Sequence, residues 1–340
     1  MKEYFRQRFI DELNDEGDIT IRTKIWKRSE ILEMAGDQIY NGLLVDWVEA
    51  QCSNARDQTA EFLTENRCLD RFEALFDRYR QGAVIPFIGA GMSCASGHKP
   101  WGEFLISLLT DVQDEIPDVD SLLNDFRYEE AAQRVHDILG ADNFSHEIKE
   151  RLGRHKKKIA GSVQLLPMIF PKLVVTTNFD YVLDNVYKQA NLPFSDSVSG
   201  VYLADAVNKI TDDPHCLLRL HGEAEVSHGR ILTINEYDQY YKNNKVLSDL
   251  IAALTGTASL LFMGCSLNSD RTVSALKHMK EVSSINRPPH YAFLPEPEPQ
   301  DRAERSDFLG QAGIRPIYYP PSDHDAMLEG LLIALKDDII

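Results

Sequence analysis

Ala83-Val84-Ile85-Pro86-Phe87-Ile88-Gly89-Ala90-Gly91-Met92-Ser93 is the stretch whose reading decides the fold. Six apolar residues of strand length run straight into two glycines separated by one alanine. A run this short, closed by glycine, reads as a buried strand ending in a tight turn. Further short apolar runs lie at 173–175, 217–220, 260–263, 291–294 and 317–319, and helical patterns such as 180–189 and 246–254 separate most of them. Apolar strands alternating with helices predict an α/β fold: a Rossmann-like parallel sheet flanked by helices on both faces.

Working outward, residues 1–80 read as mostly helical. Leu43, Leu44, Trp47 and Val48 share one helical face, as do Phe72, Leu75, Phe76 and Tyr79. Residues 1–80 are therefore expected to form an N-terminal helical extension, packing on the main domain or on another subunit. Residues 81–340 are expected to form the main α/β domain, with a helical insertion over about 102–165. Residues 295–305 read as an exposed loop and 324–338 as a closing helix.

The chain has 340 residues, 43% of them apolar and 26% charged, the proportions of a globular protein with ample core. No apolar run is long enough for a spanning helix, and the first residues lack the uncharged stretch of a secretory signal. Basic residues number 36 against 53 acidic ones, a net charge of −17, which argues against broad binding to nucleic acid or anionic membrane. Arg154-His155-Lys156-Lys157-Lys158 is the densest basic run and reads as a solvated helix end, with no aromatic residue to stack a base. The five cysteines include no C-x-x-C pair, so the common structural zinc pattern is absent, and their odd number suits a reducing cytoplasm.

Four polar motifs fall at strand ends. After Gly89-Ala90-Gly91 comes Ser93, whose hydroxyl could join backbone N–H groups on a phosphate, although a tight structural turn also explains the glycines. Thr176-Thr177-Asn178-Phe179-Asp180 places an amide and a carboxylate two apart, facing one crevice or capping the next helix. Arg219-Leu220-His221-Gly222 puts an imidazole at a third strand end, where it is a candidate base; the other nine histidines form no constellation. Gly264-Cys265-Ser266-Leu267-Asn268-Ser269-Asp270 offers a close-approach glycine and small polar groups for a second part of one nucleotide. A parallel sheet brings all four ends to one edge.

As a set and in this order, the segments GAGMS, TTNFD, RLHG and GCSLNSD resemble the signatures of the sirtuin-like NAD-consuming family, most closely its bacterial antiphage-defence branch of NAD hydrolases. The resemblance covers roughly residues 82–320. It implies that Gly89, Ala90, Gly91 and Ser93 cradle the diphosphate and nearby ribose of NAD, with Thr177 also at the nucleotide. Asn178 would face the nicotinamide ribose and place the attacking water. Asp180 would bind the carboxamide, and His221 would act on a ribose hydroxyl. Gly264 and Ser266, with Asn268, would meet the adenosine side. NAD is then the substrate, and no metal is required. The zinc ribbon of the deacetylase branch is missing, which puts acyl-lysine peptide recognition in doubt. The expected activity is hydrolysis of NAD to ADP-ribose and nicotinamide by an abortive-infection effector. Activation would come from homo-oligomerisation or, by analogy with relatives of this size, from a HerA-like ATPase. The alternatives are a protein deacylase or ADP-ribosyltransferase using the same site, and a sensor that binds NAD or ADP-ribose without turnover.

Overall fold

The computed structural model describes residues 1–154, 157–206, 215–241, 245–268, 271–282 and 287–337. His155 and Lys156 of the basic run, and Ser269 and Asp270 of the fourth motif, lie outside the described residues. The chain divides into two compact units, Met1–Glu61 with Glu329–Ile340, and Phe62–Leu328.

In the first unit, α1 (Lys2–Asp15) packs its buried Phe5 and Phe9 against Trp47 and Tyr40 of α3 (Asp37–Glu65) in edge-on and tilted aromatic pairs. Between α1 and α2 (Arg28–Met34) lies an antiparallel hairpin, β1 (Ile19–Ile21) with β2 (Lys24–Trp26). The helical reading of residues 1–80 omits this hairpin. Three-residue strands are too short to show a period of two. The turn also lacks the usual glycine, Arg22 taking the left-handed conformation at φ 58° instead. The helix α4 (Leu69–Arg80) belongs to the second unit.

The second unit is built on β3 (Val84–Ile88), β4 (Val174–Thr176), β5 (Asp196–Ser199), β6 (Cys216–Arg219), β7 (Ser259–Met263), β8 (His290–Pro295) and β9 (Ile314–Tyr319). They form one parallel seven-stranded sheet in the order β5-β6-β4-β3-β7-β8-β9. The central strands β3 and β7 are joined along five residue pairs, from Val84 with Ser259 to Ile88 with Met263. Leu260–Met263, Tyr291–Leu294 and Phe87–Ile88 are buried, as expected of strands covered on both faces.

Proline is rare in a central strand, yet Pro86 sits in β3. The Ala83 carbonyl and the Gly89 N–H both bond toward β7, so odd-numbered residues of β3 face that neighbour. Pro86 faces β4, whose pairing with β3 begins only at Phe87, so its missing N–H leaves no ladder bond broken. The edge strand β5 has the polar sequence Asp-Ser-Val-Ser, with no apolar run to announce it.

The insertion is helical: α5 (Trp101–Ser107), α6 (Ile116–Asn124), α7 (Tyr128–Leu139) and α8 (Ala141–Leu152). Its core of Phe104, Leu105, Val119, Val135, Phe144 and Ile148 continues into Phe179, Tyr181 and Leu232 of the sheet's loops. The insertion is thereby packed over the carboxyl edge of the sheet. Short helices α9 (Leu166–Ile169) and α10 (Val182–Gln189) flank β4; α11 (Ile234–Tyr241) and α12 (Val246–Leu254) follow β6. The remaining α-helices among the described residues are α13 (Arg271–Val282), α14 (Arg302–Gln311) and α15 (His324–Asp337). The end of the 295–305 stretch is thus helix, not loop. No described helix is long and apolar enough to cross a membrane.

Candidate active site

From β3 the chain crosses to β4, β6 and β5 on one side, and from β7 to β8 and β9 on the other. The strand order therefore reverses between β3 and β7, and a crevice opens outside the carboxyl ends at that switch point. A cavity of about 720 Å³ lies there, within the range of small-molecule sites. It is lined by Gly89, Ala90, Gly91, Thr177, Asn178, Asp180, His221, Gly264 and Ser266, so residues of all four sequence motifs converge. Ser93 and Asn268 are not part of its lining.

The glycines act on each other. The Gly89 N–H donates to the Met263 carbonyl at 2.8 Å, and the Gly91 N–H to the Gly264 carbonyl at 2.9 Å. A Cβ on Gly91 would lie 2.9 Å from the Gly264 Cα, and one on Gly264 would lie 2.5 Å from the Met92 nitrogen. Gly264 also has φ +68°. These residues let the loops after β3 and β7 touch backbone to backbone. The Gly89 and Gly91 amides are consumed in doing so.

Asn178 is 5% exposed and held on several sides. Its N–H donates to the Thr176 hydroxyl at 3.0 Å, and its Nδ2 donates to the Gly89 carbonyl at 3.1 Å and to Ser93 Oγ at 3.3 Å. Its Oδ1 is buried and has no hydrogen-bond partner among the described residues. A buried, unpaired acceptor on a fixed amide costs about 1–3 kcal/mol, which a ligand donor can recover. Ser93 is buried beneath this amide.

Asp180 serves the turn and lines the site. Its Oδ1 accepts the Val182 N–H at 2.9 Å, a local bond one residue ahead of the Tyr181 N-cap of α10, while the residue also lines the cavity. The loop carrying Asn178 and Asp180 is locked by Arg219, 1% exposed, whose Nη1 donates to the carbonyls of both, at 3.0 and 2.9 Å. Its Nη2 is paired with Asp184, and the guanidinium lies over the Tyr181 ring at 5.1 Å. Burial pushes the Asp184 carboxyl up, against the pull of Arg219. The arginine of the third motif therefore organises the second.

His221 follows β6. Its carbonyl accepts the Ile231 N–H at 2.8 Å, and the preceding Leu220 carbonyl accepts the Tyr241 hydroxyl at 2.8 Å. The Tyr237 hydroxyl, from α11, lies 2.9 Å from Nε2 and 3.1 Å from Nδ1 of the ring. Tyr237 in turn lies beneath Arg271, whose guanidinium carbon is 5.3 Å from the ring centroid.

Several lining residues were not among the sequence candidates. Tyr237 lies within α11 and Arg271 opens α13, helices whose patterns show nothing special. His98 also lines the cavity: burial lowers the pKa of its imidazole and Lys157 adds to this, while Asp180 pulls the other way. Its place ten residues after the strand, just beyond the serine motif, was the available signal. Trp101 stacks on Phe104 at 5.3 Å and leans on Phe179 at 5.6 Å, forming an aromatic wall. No group of three or more His, Cys, Asp or Glu side chains suited to a metal ion occurs among the described residues.

A doubly wound sheet with polar loops meeting at its topological switch point defines a nucleotide-type α/β site. Within that class, residues 172–317 match the SIR2-like domain family, and that stretch holds the second, third and fourth motifs. The chain is 20% identical over 258 residues to defense-associated sirtuin 2 of Bacillus subtilis, covering 75% of this chain and 25% of that protein. It is 24% identical over 217 residues to the NAD(+) hydrolase ThsA of Cytobacillus dafuensis, covering 61% of this chain and 40% of that protein. The matches thus span a quarter and two fifths of the length of these relatives.

Proposed function

We propose that this chain is an NAD hydrolase of the sirtuin-like type, cleaving the nicotinamide N-glycosidic bond to give ADP-ribose and nicotinamide. The observation that carries this reading is Asn178: a buried amide fixed through Nδ2, its Oδ1 unpaired among the described residues, in a cavity shared with His221. The name of one relative, an NAD(+) hydrolase, supports the same reading.

The chemistry asks for no strong acid. The leaving group is a pyridinium whose ring nitrogen takes the bonding electron pair and departs as neutral nicotinamide. Water forms the new bond to C1′, and its proton passes to a base and then to solvent. Asn178 Oδ1 is the acceptor that orients the water or a ribose hydroxyl. His221, its ring held by Tyr237, is the base or polarising group. Asp180 receives the carboxamide. A positioned base typically contributes about 10²–10⁴-fold, and fixed orientation up to roughly 7–11 kcal/mol. Unregulated loss of NAD depletes a cell, so activation by assembly is part of the proposal: self-association, or a HerA-like ATPase. The relative named for defence supports an antiphage role.

The test is nicotinamide release from NAD with and without an acyl-lysine peptide. Hydrolysis predicts release that ignores the peptide. Release strictly dependent on it favours deacylation, and label transfer onto protein favours ADP-ribosylation. Binding of NAD without any product at every protein concentration favours a sensor.

A further inference from the structure

A dinucleotide carries two phosphate charges, and the structure narrows what can meet them. The Gly89 and Gly91 amides already donate to Met263 and Gly264, and Ser93 is buried under Asn178. Among the described residues, three lysine or arginine side chains line the cavity: Lys99, Arg127 and Arg271. Lys99 is exposed. Arg127 is paired at the surface with its near neighbour Glu130. Arg271, at the start of α13, is half-buried, and its fork is closed in two parallel bonds by Glu129 of the insertion. Nε donates to Oε1 at 2.8 Å and Nη2 to Oε2 at 2.6 Å.

This is the geometry with which a guanidinium holds a phosphate. Glu129 also lines the cavity, so the pair is presented to whatever enters. Resting on the proposed nucleotide site, we infer that Arg271 is the diphosphate-binding residue and that Glu129 is an internal anion occupying its fork until the substrate displaces it. The exchange conserves the number of charge-assisted bonds on Arg271 and frees α7 from α13. Because Arg271 lies over Tyr237, and Tyr237 contacts His221, the arrival of the diphosphate is also felt at the imidazole. The insertion then acts as a competitor for the substrate's charge, and its affinity for Arg271 sets the KM.

The test is calorimetric titration of ADP-ribose into the wild type, Glu129→Gln, Arg271→Gln and the double variant, with thermal unfolding to check that each is folded. Glu129→Gln keeps the side-chain shape and removes the competing charge. It is expected to tighten ADP-ribose binding about five-fold, the size of a partly exposed ion pair. Arg271→Gln is expected to weaken binding about ten- to hundred-fold, the loss of charge-assisted bonds. The gain from Glu129→Gln must vanish in the Arg271→Gln background, because the two changes act on one interaction. Glu129→Gln binding no tighter than wild type, or Arg271→Gln binding as wild type does, overturns the inference while leaving the nucleotide site intact. A folded wild type that binds no ADP-ribose overturns the nucleotide reading, and this inference with it.

Discussion

Gly89→Ala separates two roles for the glycines after β3. Gly89 has φ −103°, an ordinary value for any residue, so alanine carries no dihedral strain there. Its Cβ would nevertheless overlap the Gly264 carbonyl oxygen, lie 2.6 Å from Cys265 Sγ and 2.8 Å from the Gly264 carbonyl carbon. Two of these three atoms are backbone, in a loop pinned by the Gly91 N–H bond to Gly264. The loop cannot move without breaking that bond. Overpacking of this kind costs about 1–3 kcal/mol, and the added hydrogen-bond loss about 1 kcal/mol more. The control is Gly97→Ala, which has φ +84° and nothing within 4 Å of the new Cβ, so only the dihedral cost of about 1 kcal/mol applies. Urea unfolding followed by tryptophan fluorescence, without nucleotide, compares the two. Gly89→Ala is expected to be the less stable by roughly 2 kcal/mol. Equal stability of Gly89→Ala and wild type refutes the reasoning that the glycine serves loop-to-loop contact in the free protein.

Arg219→Lys keeps the charge but loses the fork that spans the Asn178 and Asp180 carbonyls, and should cost about 3 kcal/mol of stability in the same unfolding assay, with NAD turnover falling in kcat more than in KM. Tyr237→Phe removes the hydroxyl beside His221 and is expected to lower kcat about ten-fold and move the pH–rate profile, with ADP-ribose affinity kept; an unmoved profile denies it a positioning role. His290, buried and accepting the Leu260 N–H at Nδ1, has its pKa lowered to about 4 by burial. The unfolded chain therefore binds the proton first: stability is fully present above about pH 6.5 and is lost as pH falls toward 4, by about 3 kcal/mol for this group. His290→Gln should be less acid-sensitive by that amount over this window, measured as unfolding midpoints against pH.

Much of the fold was legible because β3, β4, β6 and β7 are continuous apolar runs closed by polar or glycine-rich turns, the signature of strands buried on both faces. The β1–β2 hairpin and β5 escaped, being three or four residues long with polar or mixed composition. The site was legible where residues are local in sequence: Asn178, Asp180 and His221 each sit next to a strand end and converge on one cavity. What could not be read was reach across the fold. Arg219 stands next to a known motif, but its hold on the loop after β4 depends on sheet order. Glu129, Arg271 and Tyr237 come from three helices, and only packing of the insertion over the sheet edge brings them together. The burial of Ser93 under Asn178 likewise follows from a hydrogen bond between residues 85 positions apart.

The central claim is that Asn178 and His221 act together on the nicotinamide bond of NAD. Its most direct measurement is nicotinamide release by the wild type, Asn178→Ala and His221→Ala, all folded and at matched concentrations across a dilution series. The account predicts release by the wild type that rises with protein concentration as assembly proceeds, and a loss of at least about 10²-fold in each variant. Release that survives in both variants at the wild-type rate contradicts it.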